Sequence, residues 1–275
     1  MLQDIFPHEY HNEFRKKPPE PEDLLLIYSP AGVLSTAEGL ALPCCGVFPE
    51  LPVRYAFSLD ERAVYLAGEP VDAPAGWRYV PSGEYRLGHP RETAFVCAVG
   101  ESLHRWYQKT RFCGACGAPM EDSAIERARV CPKCGNTVYP RINPAVIVAV
   151  THGDELLLTR YANRPFRSYA LIAGFCEIGE TLEETVHREV LEEVGLRVKN
   201  LRFYKSQPWV LTDSLLMGFY CEVDGKTETV LQDGELAEAQ WFHRDALPTD
   251  HSGISLTGEM IQRFREGKEK YILTE

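Results

Sequence analysis

Three glutamates crowd into five residues at Glu189-Val190-Leu191-Glu192-Glu193, with Arg188 immediately before them. On a helix advancing about 100° per residue, Glu189, Glu192 and Glu193 fall within about 100° of one another. Like charges at these spacings repel, so the arrangement gains nothing unless a cation sits opposite. Clustered carboxylate oxygens suit hard divalent ions such as Mg²⁺ or Mn²⁺. Such ions in turn suit phosphoryl chemistry. A second constellation lies upstream. Cys113-x2-Cys116 and Cys131-x2-Cys134 form two CxxC pairs. Four thiolates so spaced match one tetrahedral Zn²⁺. Gly114, Gly117 and Gly135 permit the tight turns that aim the sulfurs at one point. A full four-cysteine shell leaves no open position, so this zinc is expected to be structural.

The glutamates need a helix to hold them. Leu182–Val194 has that pattern, with Val186, Val190 and Val194 forming a core-facing stripe. Thr181 and Glu184 have capping-box spacing, and Gly195 suits the residue that ends the helix. On the helical wheel the carboxylates lie beside the apolar stripe, at the rim of the core. Pro144–Val150 and Glu155–Tyr161, joined by Thr151-His152-Gly153-Asp154, read as a hairpin. Leu201–Tyr204, Leu215–Val223 and Ala239–His243 read as further strands, and Ile254–Glu266 as a closing helix. Before the cysteines, Leu24–Tyr28, Val53–Leu59, Ala63–Ala67, Trp77–Val80 and Tyr85–Leu87 read as short strands. The series Phe95, Val99, Leu103 and Tyr107 predicts a helix over Arg91 to Lys109. The expected organisation is an N-terminal mixed α/β domain (1–109), a zinc ribbon (110–140) and a C-terminal domain (141–275).

The 275 residues carry a net charge of −11, which disfavours tight, non-specific nucleic-acid binding but leaves a nucleotide pocket open. Apolar runs such as Ala145–Val150 are too short for a membrane span, and the N-terminus has no apolar signal core. An odd total of nine cysteines fits a reducing, cytoplasmic setting and a metal, not a disulfide framework. Cys176 has no evident base partner and reads as a packing residue.

Gly174, Glu180, Arg188, Glu189, Val190, Glu192, Glu193, Gly195 and Leu196 together satisfy G-x5-E-x7-R-E-U-x-E-E-x-G-U, with U aliphatic. This resembles the Nudix box, the signature of hydrolases that cleave a nucleoside diphosphate linked to another moiety. The resemblance implies an α/β/α sandwich in which the box forms a loop, helix and loop. It implies that Glu189 and Glu193 bind Mg²⁺ or Mn²⁺, joined by the carbonyl of Ala173, and that Glu192 supports the metal or the attacking water. Glu180 and Arg188 are expected to brace the loop against the helix.

Three further features narrow the resemblance. The four-cysteine ribbon precedes the box, Tyr139-Pro140-Arg141-Ile142 follows the ribbon, and Ser206-Gln207-Pro208-Trp209 follows the box. This order is similar to the zinc-ribbon NADH pyrophosphatases, whose N-terminal domain is a small, degenerate Nudix-like one. The resemblance implies cleavage of NADH or NAD⁺ to nicotinamide mononucleotide and AMP, removal of NAD caps from RNA in some members, and a homodimer. It makes Gln207, Trp209 and Ser214 substrate contacts, and Phe175 and Tyr139 aromatic faces for a base, Tyr139 from the partner subunit. Glu235 is expected as a downstream metal ligand. An aromatic face with an amide is chemically apt for a nucleotide. The chain departs from the subfamily where Val210-Leu211-Thr212 replaces Pro-Phe-Pro, losing two rigid φ angles and one ring. Asp213 adds a negative charge there. That departure keeps open another nucleotide-linked diphosphate, such as ADP-ribose, as substrate. A nucleotide-sensing or RNA-binding protein with a silent hydrolase domain is the reading of another class, but every box glutamate is present.

Overall fold

The computed structural model describes residues 1–162, 169–231, 234–249 and 252–270, so the 271–275 end of the expected C-terminal domain lies outside them. The chain clusters into two compact units, Leu2–Arg141 with Val210–Asp213, and Met1 with Ile142–Trp209 and Ser214–Glu275. The cysteine ribbon, expected as a module of its own, clusters with the N-terminal unit.

In that N-terminal unit, β1 (Tyr10–His11), β2 (Leu24–Leu26), β3 (Tyr28–Ser29), β4 (Gly32–Thr36), β5 (Val53–Leu59), β6 (Arg62–Ala67) and β7 (Trp77–Val80) form two sheets, in the orders β1-β5-β6-β2 and β3-β4-β7. The expected single strand Leu24–Tyr28 is thus divided at Ile27 between the two sheets. The expected strand Tyr85–Leu87 is not formed; Ser82–Tyr85 is a one-turn helix, α1, entered from Pro81. Proline fixes φ and suits the entry to a helix better than a strand. Helix α2 (Arg91–Lys109) has the expected bounds and buries Phe95, Val99, Leu103 and Trp106. Three short strands, β8 (Glu121–Asp122), β9 (Arg129–Val130) and β10 (Thr137–Val138), make the ribbon.

The C-terminal unit is built on β11 (Asn143–His152), β12 (Glu155–Tyr161), β13 (Ile172–Phe175), β14 (Val198–Trp209), β15 (Ser214–Val223) and β16 (Leu236–His243). Their order is β14-β15-β11-β12-β16, with β13 also paired to β11. β11 and β15 run parallel, and their side chains are buried on both faces of the sheet. Val146, Val148 and Val150 pack with Val186, Val190 and Val194 of helix α3 (Leu182–Val194). Ile147 and Ala149 pack on the other face with Leu256, Met260 and Phe264 of α4 (Leu256–Arg265). Alternation along one strand therefore feeds two cores, which explains why the run Ala145–Val150 is apolar throughout. The result is the α/β/α sandwich anticipated from the sequence. β14 extends beyond the expected Leu201–Tyr204 and takes Gln207 and Trp209 into the sheet, paired with Leu216 and Ser214.

Candidate active site

Helix α3 begins at a capping box. The Thr181 hydroxyl accepts from the Glu184 backbone N–H at 3.1 Å, and the Glu184 carboxylate accepts from the Thr181 N–H at 2.8 Å. Gly195 ends the helix at φ 71°, a left-handed conformation that glycine adopts without strain. The apolar stripe is fully buried, and it takes Glu193 with it to 8% exposure. Glu189, one turn earlier, is also largely covered, with its side chain 13% exposed. Glu192 instead faces outward, its side chain 59% exposed, so it does not share the rim of the core expected for all three carboxylates.

Arg188 organises the site. Its Nε and Nη2 donate to the two carboxylate oxygens of Glu180 at 2.6 and 2.8 Å. Nη1 donates to Glu189 at 2.7 Å and to Glu192 at 3.0 Å, and Nη2 also donates to the Phe175 carbonyl at 2.9 Å. The planar fork is what allows one side chain to hold loop and helix together. Glu180 is held down to about 2, first by Arg188 and then by the backbone N–H of Glu177. Thr185, which donates to Glu180 at 3.0 Å, completes this brace. Sequence reasoning missed Thr185, although its position one turn before Glu189 puts it on the same helix face.

The β13 backbone lies directly against Glu189. A Cβ on Gly174 would stand 1.9 to 2.2 Å from the carboxylate atoms of Glu189, so only glycine fits. The register of β13 with β11 sets Ala173 opposite Ile147 and Gly174 opposite Val146. Ala173, whose carbonyl is the expected extra ligand, is therefore the residue next to the glycine that cradles Glu189. Burial raises the Glu189 carboxyl above its ordinary value; Arg188 opposes this, and Glu192 and Glu235 add to it. Glu235 thus stands close enough for its charge to be felt at Glu189, although the two lie far apart in sequence. One guanidinium faces more carboxylates than it can neutralise. The donor set is all oxygen, which is the chemistry that binds a hard divalent cation.

In the ribbon, the Cys113 and Cys134 sulfurs are 3.6 Å apart and those of Cys116 and Cys131 are 3.5 Å apart. All four lie within 4.8 Å of one another. Tetrahedral Zn–S bonds of about 2.3 Å would separate sulfurs by about 3.8 Å, so the array fits one ion. The backbone N–H of Ala115, followed by that of Cys116, holds the Cys113 thiol down to about 6, favouring the thiolate that a metal needs.

The matches to known proteins agree with this geometry. Residues 141–264 match the NUDIX domain and residues 108–139 the NADH pyrophosphatase zinc ribbon domain. The NAD-capped RNA hydrolase NudC of Chromobacterium violaceum is 42% identical over 200 residues, covering 72% of this chain and 75% of that one. The protein of the same name from Salmonella typhi is 37% identical over 229 residues, covering 78% and 85%. The chain belongs to the Nudix hydrolase family. Among solved structures, a NUDIX hydrolase from Nitrosomonas europaea shares the fold, with a TM-score of 0.51 at 24% identity over 59% of this chain and 94% of that one.

Within this Nudix hydrolase the remaining expected site residues occupy different settings. Phe175 is 54% exposed and its ring is open. Trp209 is half-buried at the end of β14, and Ser214, its register partner, is buried. Glu235 is exposed and sits just before β16. Tyr139 belongs to the N-terminal unit, where it is exposed and donates to Glu126 at 3.0 Å. Gln207, expected to face the substrate, is fully buried. Its Nε2 donates to the Ile254 carbonyl at 2.9 Å and its Oε1 accepts from the Leu256 N–H at 2.7 Å. The amide thus ties β14 to the entry of α4. Asp213 is also not a loose charge. It accepts from Arg105 at 2.6 Å and Ser102 at 2.7 Å, and Arg105 donates to the Val210 carbonyl at 2.8 Å. The segment that replaces Pro-Phe-Pro is therefore anchored on α2.

Proposed function

We propose that this Nudix hydrolase cleaves the diphosphate linkage of NADH and NAD⁺, giving nicotinamide mononucleotide and AMP, and removes NAD caps from RNA. The observation that carries the reading is the Glu189 carboxylate seated against Gly174, with Glu192, Glu193 and Glu235 around it. The relatives named for NAD-cap hydrolysis give the substrate class.

Glu189, Glu193, Glu235 and the carbonyl of Ala173 would hold Mg²⁺ or Mn²⁺. Such ions neutralise diphosphate oxygens that otherwise repel a nucleophile, and they stabilise the leaving phosphate. Arg188 and Glu180 keep Glu189 in place and fix the β13 loop through the Phe175 carbonyl. Glu192 is assigned to support the attacking water. Water supplies oxygen to one phosphorus, and the other phosphate leaves, so no covalent enzyme intermediate is needed. Phe175 and Trp209 are assigned as base-stacking faces, with Ser214 supporting Trp209. Gln207 is assigned an indirect part, through the α4 entry it pins. Tyr139 is assigned to the site of the partner subunit in a cytoplasmic homodimer. One Zn²⁺ per chain holds the ribbon.

A second substrate reading rests on the Val210-Leu211-Thr212 segment, which lacks the ring and the rigidity of Pro-Phe-Pro. It favours another nucleoside diphosphate derivative, such as ADP-ribose. Incubation with Mg²⁺ or Mn²⁺ and a panel of NADH, NAD⁺, ADP-ribose, diadenosine polyphosphates and NAD-capped RNA separates the two. NADH and NAD-capped RNA consumed in preference to the rest is the expected outcome. NADH left intact while ADP-ribose is consumed would sink the first reading. Turnover of nothing would favour a silent, nucleotide-sensing protein.

A further inference from the structure

The N-terminal unit contains a concave site that the hydrolytic reaction does not use. A cavity of about 380 Å³ lies among the segment 14–18, β5, α2 and the start of the ribbon. That volume is in the range of small-molecule sites. Its walls carry Arg15, Lys16, Lys17 and Arg54 against the single carboxylate of Asp122, on a chain whose net charge is −11. These cations are incompletely neutralised. Lys17 pairs with Glu20 at 3.0 Å, and Arg15 stands 3.9 Å from Glu13. Lys16 has no ion-pair partner among the described residues. Arg54 donates to Asp122 through Nε alone, at 2.7 Å, and its plane lies over the Tyr107 ring at 5.1 Å. Its Nη groups are left to donate elsewhere.

The same cavity has aromatic walls. Phe14 is half-buried at its edge, and Tyr55 is 8% exposed. The Tyr55 hydroxyl is buried and makes no hydrogen bond among the described residues. A neighbouring cavity of about 910 Å³ shares Arg54, Tyr107 and Asp122 and continues the groove past Arg111 and the exposed Phe112.

An unpaired lysine beside a guanidinium with free Nη groups calls for an anion, guanidinium donors favour phosphate, and the half-buried Phe14 ring suits a planar base. We propose that this cavity is a second nucleotide site, which takes a nucleoside monophosphate with its phosphate at Lys16 and Arg54 and its base against Phe14. None of the residues assigned to the proposed dinucleotide reaction lines this cavity.

The test is hydrogen-exchange mass spectrometry on the full, zinc-loaded chain without added divalent ions, titrated with AMP, inorganic phosphate or a 5′-phosphorylated oligoribonucleotide. AMP is expected to protect peptides spanning 12–18 and 53–59, and to do so equally in Trp209→Ala. Lys16→Ala, on an exposed residue, should weaken this protection about tenfold, the loss of one charge-assisted hydrogen bond. Protection confined to 172–209 would overturn the proposal, as would AMP binding unaffected by Lys16→Ala. Inorganic phosphate binding as tightly as AMP would reduce the cavity to an anion site and overturn the base assignment. Protection by the oligoribonucleotide where AMP gives none would make the groove an RNA track instead.

Discussion

At the scale of the residue, the site depends on one contact between a backbone and a carboxylate. Gly174→Ala would drive a methyl group into Glu189. A displacement of that kind costs about a hundredfold in turnover when it misplaces a reacting group by about 1 Å. The expected result is a fall of that size in kcat with little change in melting temperature, because Gly174 has an ordinary strand conformation. Glu193→Gln keeps the shape of a buried side chain and removes one charge. It should abolish measurable turnover while circular dichroism and melting stay near wild type, and retention of most activity would refute Glu193 as a ligand. Much of this residue-level picture is legible in the sequence. The box spacing specifies which carboxylates meet, since one helix and one loop bring them together. Gln207 was not legible. Its partners, Ile254 and Leu256, are about fifty residues away, and an amide beside a tryptophan reads the same whether it meets a base or a backbone. Asp213 is similar, because the cation that neutralises it, Arg105, lies over a hundred residues earlier, on α2 of the same unit.

At the scale of the element, local chemistry decided the helices well. Removing the α3 cap by Thr181→Ala should cost about 1 kcal/mol of stability, read from denaturant unfolding with an unchanged slope. The strands were less legible where two sheets compete for one apolar run, as at Leu24–Tyr28, or where a strand continues through polar residues, as β14 does. A turn on the N-terminal sheet offers a pH-dependent test. His8 Nδ1 lies 2.8 Å from Asp60, in the β5–β6 turn, and the Glu9 N–H also donates to Asp60. This hydrogen bond is the first cause raising His8 above 6.5 and the first lowering Asp60 below 3.8. The histidine's contribution is full below 6.5 and is lost as pH rises through its raised folded value. That of the aspartate is full above 3.8 and is lost as pH falls through its lowered one. A double-mutant cycle of His8→Gln and Asp60→Asn should give a favourable coupling at about pH 5.5 and a smaller one at about pH 9, where only the neutral imidazole N–H remains to donate.

At the scale of the whole molecule, the ribbon's membership in the N-terminal unit has a thermodynamic signature. Arg54 pairs with Asp122, Arg129 also donates to Asp122, and Arg127 donates to the Ala56 carbonyl, so the zinc knuckles are tied to β5. Zinc removal should lower the melting temperature and speed amide exchange in β5 and β9, leaving β11 and β15 protected. Equal loss of protection in β11 would contradict the grouping. The two ties to β5 were not visible locally, since Arg54–Asp122 and Arg127–Ala56 each join residues about seventy apart, whereas Asp122 and Arg129 face each other across the β8–β9 hairpin. The double allegiance of β11 has a different implication, for how this sequence can drift. Each neighbouring pair of residues from Val146 to Val150 serves opposite cores, and the pairing of Val146 with Gly174 and Ile147 with Ala173 measures out where the cradle of Glu189 falls. Exchanging one aliphatic residue for another disturbs a single core and leaves the measurement intact. Deleting one residue inverts both cores and moves the cradle by a full strand step. A deletion library across 145–150 should therefore yield no active survivors, while aliphatic replacements there survive, so lineages of this enzyme are free to change length in their loops but not along this ruler.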